Sequence, residues 1–500
     1  MRIQPFLDHH GIASNPFADE DAQTDLVFKG ACIRSTYHPS WDKIYGDPSE
    51  PATAVVFGEK GSGKTAIRLQ LARRLADHNA EQPDHQAFVV EYDDFNAFLD
   101  QFRDCFSGRR RRQTGRVLEQ WRLWDHIDAI LSLAVTQLVD RILEVKQASH
   151  PAAREEPLPI KSLDAAQSRD VLLLAACYDQ STAENSFQRW RKLRKKLRFS
   201  TWRSKWDLIL GVLVAIAVFG GLLALGLHGN NWKWFGWWPP YIVAAAAWTP
   251  RAWRLLQCWW RARQIVRNTR TLHHSTRLLC RTLLNFPGGQ IVGQPLPAWP
   301  RTDDRYALLG KLQGVLRSMR FDGILVLVDR VDEPYLINGS TELMRALVWP
   351  MLDNKFLKHP GLGLKLLLPI ELERLLDRES RDFMERARLD KQNLIRSLAW
   401  TGQSLYDMAN ARVAACAAEG QRPKITDLFS DVDAHRLMDA FGTLRTPRNL
   451  FKFLYRLLMT HCNLHTEDQP EWQISRATFE STLALCQRDQ DAFDRGVGAG

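Results

Sequence analysis

Residues 58 to 65 read GEKGSGKT, and Gly58, Gly63, Lys64 and Thr65 satisfy the spacing G-x-x-x-x-G-K-[ST]. The chemistry served by that spacing is the holding of phosphate groups. A glycine-rich loop made of Gly58, Glu59, Lys60, Gly61, Ser62 and Gly63 can turn its backbone N–H groups inward onto anionic oxygens. Lys64 adds a positive charge, and the hydroxyl of Thr65 suits Mg²⁺.

A phosphate loop alone does no chemistry, and its complement lies far along the chain in FDGILVLVDRVDEP, residues 321–334. Ile324 to Val328 is a continuous apolar run, as expected of a strand buried on both faces of a parallel sheet. It ends in Asp329, with Asp332 and Glu333 just beyond. A carboxylate at a strand end can share a metal ion with Thr65, which makes Asp329 the metal candidate. A second carboxylate is needed to orient or deprotonate a water, and Asp332 and Glu333 are the catalytic candidates.

Those residues require a scaffold. An apolar run at 54–57 reads as the strand feeding the loop, and TAIRLQLARRLADHN continues as a helix. QAFVVE, 86–91, reads as a second strand, 117–145 and 161–178 have helical spacing, and a helix is expected at about 304–319. GLGLKLLLPIEL, 361–372, reads as another buried strand. Glu371 lies just past it, but Pro369 follows three Leu, so no polar sensor is assigned there. The stretch 381–419 reads as helical. GTLRTPRNLFKFLYRLL, 442–458, opens a basic, apolar helix from which Arg448 could reach a γ-phosphate. The fold class is therefore α/β: a parallel sheet flanked by helices, with a helical lid at the C-terminal end. The expected divisions are an N-terminal segment 1–50, a first core part 51–185, an interruption 186–270, a second core part 271–380, and a helical region 381–500.

The interruption is the most apolar part of the chain. LILGVLVAIAVFGGLLALGL, 208–227, has 20 residues and no charge, long enough to cross the hydrocarbon core as a helix. FQRWRKLRKKLRFSTWRSK before it carries nine Lys/Arg between 189 and 205, and six Arg follow between 251 and 270. A second segment, about 234–250, is short and contains Pro239, Pro240 and Pro250. The reading is a transmembrane hairpin with both basic flanks on the cytoplasmic side. Trp232, Trp234, Trp237 and Trp238 would then form an aromatic belt at the outer face, which accounts locally for part of the 18 Trp.

The same location explains the net charge of +10. Basic runs beside an apolar span suit anionic lipid, and no zinc-finger or RNP-like pattern points to nucleic acid, so a nucleic-acid partner is not expected. The eight cysteines are scattered without C-x-x-C spacing, so no disulfide framework is expected. The first residues lack a basic region followed by an apolar one, and no signal peptide is expected.

Taken together, GEKGSGKT, the apolar hairpin between that loop and the acidic strand, the D-x-x-D-E spacing of ILVLVDRVDE, and RTPRNLFKFL resemble the KAP family of P-loop NTPases, related to NACHT-type signalling ATPases. The resemblance spans roughly 50–460. Arg330 departs from it, since family members often carry an acidic or small residue there. The resemblance implies ATP and Mg²⁺ as cofactors, ATP hydrolysis, and a switch at the cytoplasmic face of a bacterial inner membrane in phage defence or signalling. It also implies Arg448 as a lid arginine, and a homo-oligomer or protein partner. Two other readings stand beside it: a nucleotide-binding membrane scaffold with little turnover, and a subunit of an oligomeric pore.

Overall fold

The computed structural model describes residues 1–106, 108, 114–145, 158–181, 184–229 and 238–494. Arg109–Arg112, Trp232, Trp234, Trp237 and the tail 495–500 lie outside the described residues. The chain divides into two compact units, Met1–Asp94 with Asp322–Gly500, and Phe95–Phe321. The boundaries expected at 185/186 and 270/271 both fall inside the second.

The first unit is built on a five-stranded parallel sheet of order β2-β3-β4-β1-β5. The strands are β1 (Ala54–Gly58), β2 (Gln86–Tyr92), β3 (Phe321–Val328), β4 (Leu362–Pro369) and β5 (Asn393–Ile395). β1 and β4 are buried at every position, and β3 at all but one. This is why they read as unbroken apolar runs rather than alternating ones. In register, Leu366 of β4 lies between Val55 of β1 and Val328 of β3. The C-terminal tips of β1 and β3 therefore emerge along one edge of the sheet, with the tip of β4 between them. Strands β2 and β3 are neighbours in the sheet, and the whole second unit is the connection between them.

The stretch 381–419 is not wholly helical. It holds helices Arg381–Ala387 and Gly402–Ala415, with the three-residue strand β5 between them. Pairing of Ala54–Val56 with Asn393–Ile395 creates that strand, a tertiary effect that local spacing does not encode. The N-terminal segment is not separate either. Phe6, Leu7, Ile12 and Phe17 pack into one core with Leu405, Phe441, Leu450, Phe453 and Phe479 from the C-terminal helices.

Apart from Phe321, which opens β3, the regular elements of the second unit are all helices among its described residues. Helices Leu123–Leu143, Ala165–Tyr178 and Thr302–Ser318 enclose buried charges. Arg305 pairs with Asp128 at 3.0 Å with both side chains fully buried, and the Tyr178 hydroxyl donates to Asp128 at 2.8 Å. Arg189 is shared between Asp140 and Asp179.

Helix Trp206–Gly229 belongs to this unit. Within Trp202–Leu225 lies the one stretch among the described residues long and apolar enough to cross a membrane by length and composition, and only 11% of it is buried. Ile216, Phe219 and Leu223 stand out into solvent at 64%, 51% and 51% exposure. The expected second segment is helix Pro239–Ala247, nine residues long, about 13 Å of rise. After Trp248 the chain continues directly into helix Thr249–Asn268. The Phe219 and Tyr241 rings meet at 6.0 Å. Gly211 lets Trp248 close in, since a Cβ there would sit 3.1 Å from the indole.

Candidate functional site

The loop after β1 and the residues after β3 meet. Thr65, in the first turn of helix Lys64–Glu81, donates its hydroxyl to Asp329 Oδ2 at 2.9 Å. Asp329 is 1% exposed. Its burial pushes the carboxyl above the ordinary range, while the Thr65 hydrogen bond and the Arg68 guanidinium pull it back.

Two glycines shape the loop. Gly61 and Gly63 have φ of +85° and +93°, a region where a Cβ is strained. Gly61 also has no room for one, because a Cβ would lie 2.7 Å from Arg448 Cβ. The loop is held from outside by two residues of the C-terminal part. Trp400 Nε1 donates to the Ser62 carbonyl at 2.8 Å, and the Arg448 backbone N–H donates to the Gly61 carbonyl at 3.3 Å. Arg448 sits in the first turn of helix Pro447–Leu464, whose N-cap is the Thr446 hydroxyl.

Lys64 Nζ donates to the carbonyls of Gly58 at 2.9 Å and Glu59 at 3.0 Å. Burial lowers its pKa, Asp329, Asp332 and Glu371 hold it up, and Arg448 lowers it further. These groups therefore share one electrostatic neighbourhood.

They line a single cavity of about 400 Å³, a size that suits a small ligand. Lys60, Gly61, Gly63, Lys64, Thr65, Asp329, Asp332, Glu333 and Arg448 all contribute to its wall. The same wall also carries Phe28, Cys32, Ile67, Met344 and Phe451 together with Thr36, Gln70 and the charged Asp21, Asp25 and Arg412. Gln70 donates to the Thr36 carbonyl at 2.6 Å, and the Thr36 hydroxyl is buried without a partner.

The two carboxylates considered for water are not equivalent. Arg330 adopts φ +60° and its guanidinium reaches Glu333 at 3.6 Å. The Glu333 side chain is 59% exposed. Partial burial raises its pKa, Arg330 opposes this, and Asp332 and Asp329 add to it. Asp332 lines the cavity as well, is less exposed than Glu333, and acts on the charge of Lys64. The Arg330 departure noted in the sequence thus has a structural consequence: it gives Glu333 a partner at the rim.

The structure adds Arg68 and Trp400 to the site and brings in Glu371, to which the sequence assigns no sensor role. Arg68 is buried and contacts Glu91, Asp93 at 2.9 Å, and Asp329 at 3.4 Å. It therefore ties the end of β2 to the end of β3. Pro369 is the N-cap of helix Ile370–Leu376, and the first turn delivers Glu371 to the cavity wall. Trp400 lies in a loop and has no local signal.

Comparisons with protein-family models, curated proteins and solved structures return no match to this chain.

Proposed function

We propose that this chain is a membrane-anchored P-loop ATPase of the KAP type, acting as an ATP-dependent switch. The observation that carries the reading is the 2.9 Å contact between Thr65 and Asp329. A hydroxyl from a glycine-rich loop and a buried carboxylate from the tip of β3, one strand removed from β1 in the sheet, suit a shared metal ion. The loop amides and Lys64 beside them suit phosphates. The apolar side chains among the lining residues, Phe28, Ile67, Met344 and Phe451, and the volume of about 400 Å³ favour a nucleoside over bare phosphate.

Thr65 and Asp329 would hold Mg²⁺, which when bound supplies charge neutralisation at the transferring phosphoryl group. Lys64 exchanges its two carbonyl partners for phosphate oxygens. Burial lowers its pKa, and Asp329, Asp332 and Glu371 oppose that lowering. Asp332 orients the attacking water and takes its proton. Arg448, braced on Gly61, senses whether the loop is filled and carries that state to helix Pro447–Leu464.

The membrane reading rests on helix Trp206–Gly229 and its exposed apolar surface. β2 and β3 belong to one sheet, so the chain must leave and re-enter on the same side. If Trp206–Gly229 crosses, the chain has to return. Nine residues do not span about 30 Å of hydrocarbon, so a return through Pro239–Ala247 would need a locally thinned bilayer or a re-entrant path.

The test is ATP turnover by the detergent-solubilised full chain beside Lys64→Ala and Asp329→Asn. Turnover lost in both variants supports the ATPase. Unchanged turnover in Lys64→Ala overturns it. A second reading, a nucleotide-gated scaffold, is favoured by the outward, Arg330-paired Glu333. Tight ATP binding without turnover in the parent chain would select it.

A further inference from the structure

Helix Thr249–Asn268 has a buried stripe and, opposite it, a face that does not match an ordinary surface helix. Cys258, Ala262 and Ile265 form its buried stripe. At about 100° per residue, Trp253, Leu256, Trp260, Arg263 and Arg267 fall within about 80° on the opposite side. There a water-facing helix would be polar. Instead Trp253 is 61% exposed, Leu256 51% and Trp260 59%, and both arginines are exposed. The helix contains no acidic residue.

Its position against helix Trp206–Gly229 is pinned. Arg251 and Arg254 reach Asp207 at 3.3 and 3.2 Å, and Arg254 also donates to the Ser204 and Leu284 carbonyls. Asp207 is the last charge before the uncharged run 208–227. The start of Thr249–Asn268 is thus locked to the point where the apolar helix begins. Trp202 and Trp206, 67% and 61% exposed, belong to the same end.

We infer that the outward face of Thr249–Asn268, made of Trp253, Leu256, Trp260, Arg263 and Arg267, is a contact face for the headgroup layer of an anionic lipid bilayer. Indole and Leu side chains suit the acyl–headgroup boundary, and arginines suit the phosphates above it. Continuity with the apolar helix and the all-basic charge of this face select lipid over an apolar protein groove. The inference rests on the membrane reading of helix Trp206–Gly229.

The experiment uses the full chain in phosphatidylcholine nanodiscs with or without phosphatidylglycerol, with exposed Cys105 replaced by Ser. Nitroxide labels are placed at Ile216→Cys and, separately, at Trp260→Cys or Leu256→Cys. Their accessibility to oxygen and to a water-soluble nickel complex is then read. The expected result is a label at 216 reached only by oxygen and a label at 260 or 256 reached by both at headgroup depth. That second label sits deeper with phosphatidylglycerol and returns toward water in Arg263→Glu/Arg267→Glu. A fully aqueous label at 260 and 256, or one shielded from both reagents by protein, overturns the inference while 216 still reports lipid. An aqueous label at 216 overturns the membrane reading and the inference with it.

Discussion

Thr65 and Asp329 are 264 residues apart in the chain and 2.9 Å apart in space. The whole helical unit Phe95–Phe321 lies between them in sequence. Every part of the proposed chemistry depends on that contact surviving so long a detour.

Thr65→Ala removes the hydroxyl and leaves Asp329 buried with one partner fewer. The Mg²⁺ concentration that half-saturates nucleotide binding should rise about 10- to 100-fold, and Thr65→Ser should restore most of it. Titration of a fluorescent ATP analogue against Mg²⁺ reads this directly. An unchanged Mg²⁺ requirement would mean the pair is structural only.

Asp332 and Glu333 can be told apart. Asp332→Asn should lower turnover by about 10²- to 10⁴-fold, the usual reach of a general base. Glu333→Gln should cost under tenfold, because Glu333 is turned to Arg330 at the rim. Steady-state turnover of both variants decides, and the reverse order would move the water-handling role to Glu333.

Arg68→Met leaves Glu91, Asp93 and Asp329 facing one another without their common cation. Breaking a buried pair costs about 3–5 kcal/mol, and the low end is expected because Glu91 and Asp93 are both 28% exposed. Chemical denaturation of the first unit, followed by a reporter there, should show the loss. A change below about 1 kcal/mol, the scale of a surface ion pair, would show that Arg68 contributes no more than one.

Gly61→Ala meets both the positive φ and the Arg448 Cβ. The left-handed conformation alone costs about 1–2 kcal/mol. ATP affinity should fall by tenfold or more. Arg448→Ala should not relieve the clash, since its Cβ stays, whereas Arg448→Gly should recover part of the affinity. Equal affinities in the two double variants would remove the packing argument.

Lys365, 1% exposed in β4, donates to the Tyr45 and Ala52 carbonyls at 2.9 Å each. Burial lowers its pKa from 10.5 to about 8. The folded state therefore holds this proton less firmly than the unfolded chain. Its ionised form costs stability below about pH 8, and that cost lifts as pH rises toward 10.5. Stability of the parent minus that of Lys365→Met should climb by up to about 1.4 kcal/mol per pH unit across that window. Denaturant midpoints at pH 7, 8.5 and 10 test it, and a flat difference would refute the neutral-lysine picture.

The sequence by itself determined the parts whose physics is local or periodic. The glycine-rich loop, the three long buried strands and the uncharged apolar helix are legible because φ > 0, two-sided burial and a missing charge each restrict residue types over a short window. Asp329 was legible because it terminates such a run. What only the tertiary structure decided are relations between distant residues. β5 exists because β1 offers it an edge. Glu371 reaches the cavity because Pro369 starts a helix rather than ending a strand silently. Arg330 pairs with the exposed Glu333, while the less exposed Asp332 acts on Lys64. Arg68 and Trp400 become part of the site only when β2 and the loop after β5 fold around it. Such contacts are set by packing across the sheet, and no spacing along the chain encodes them.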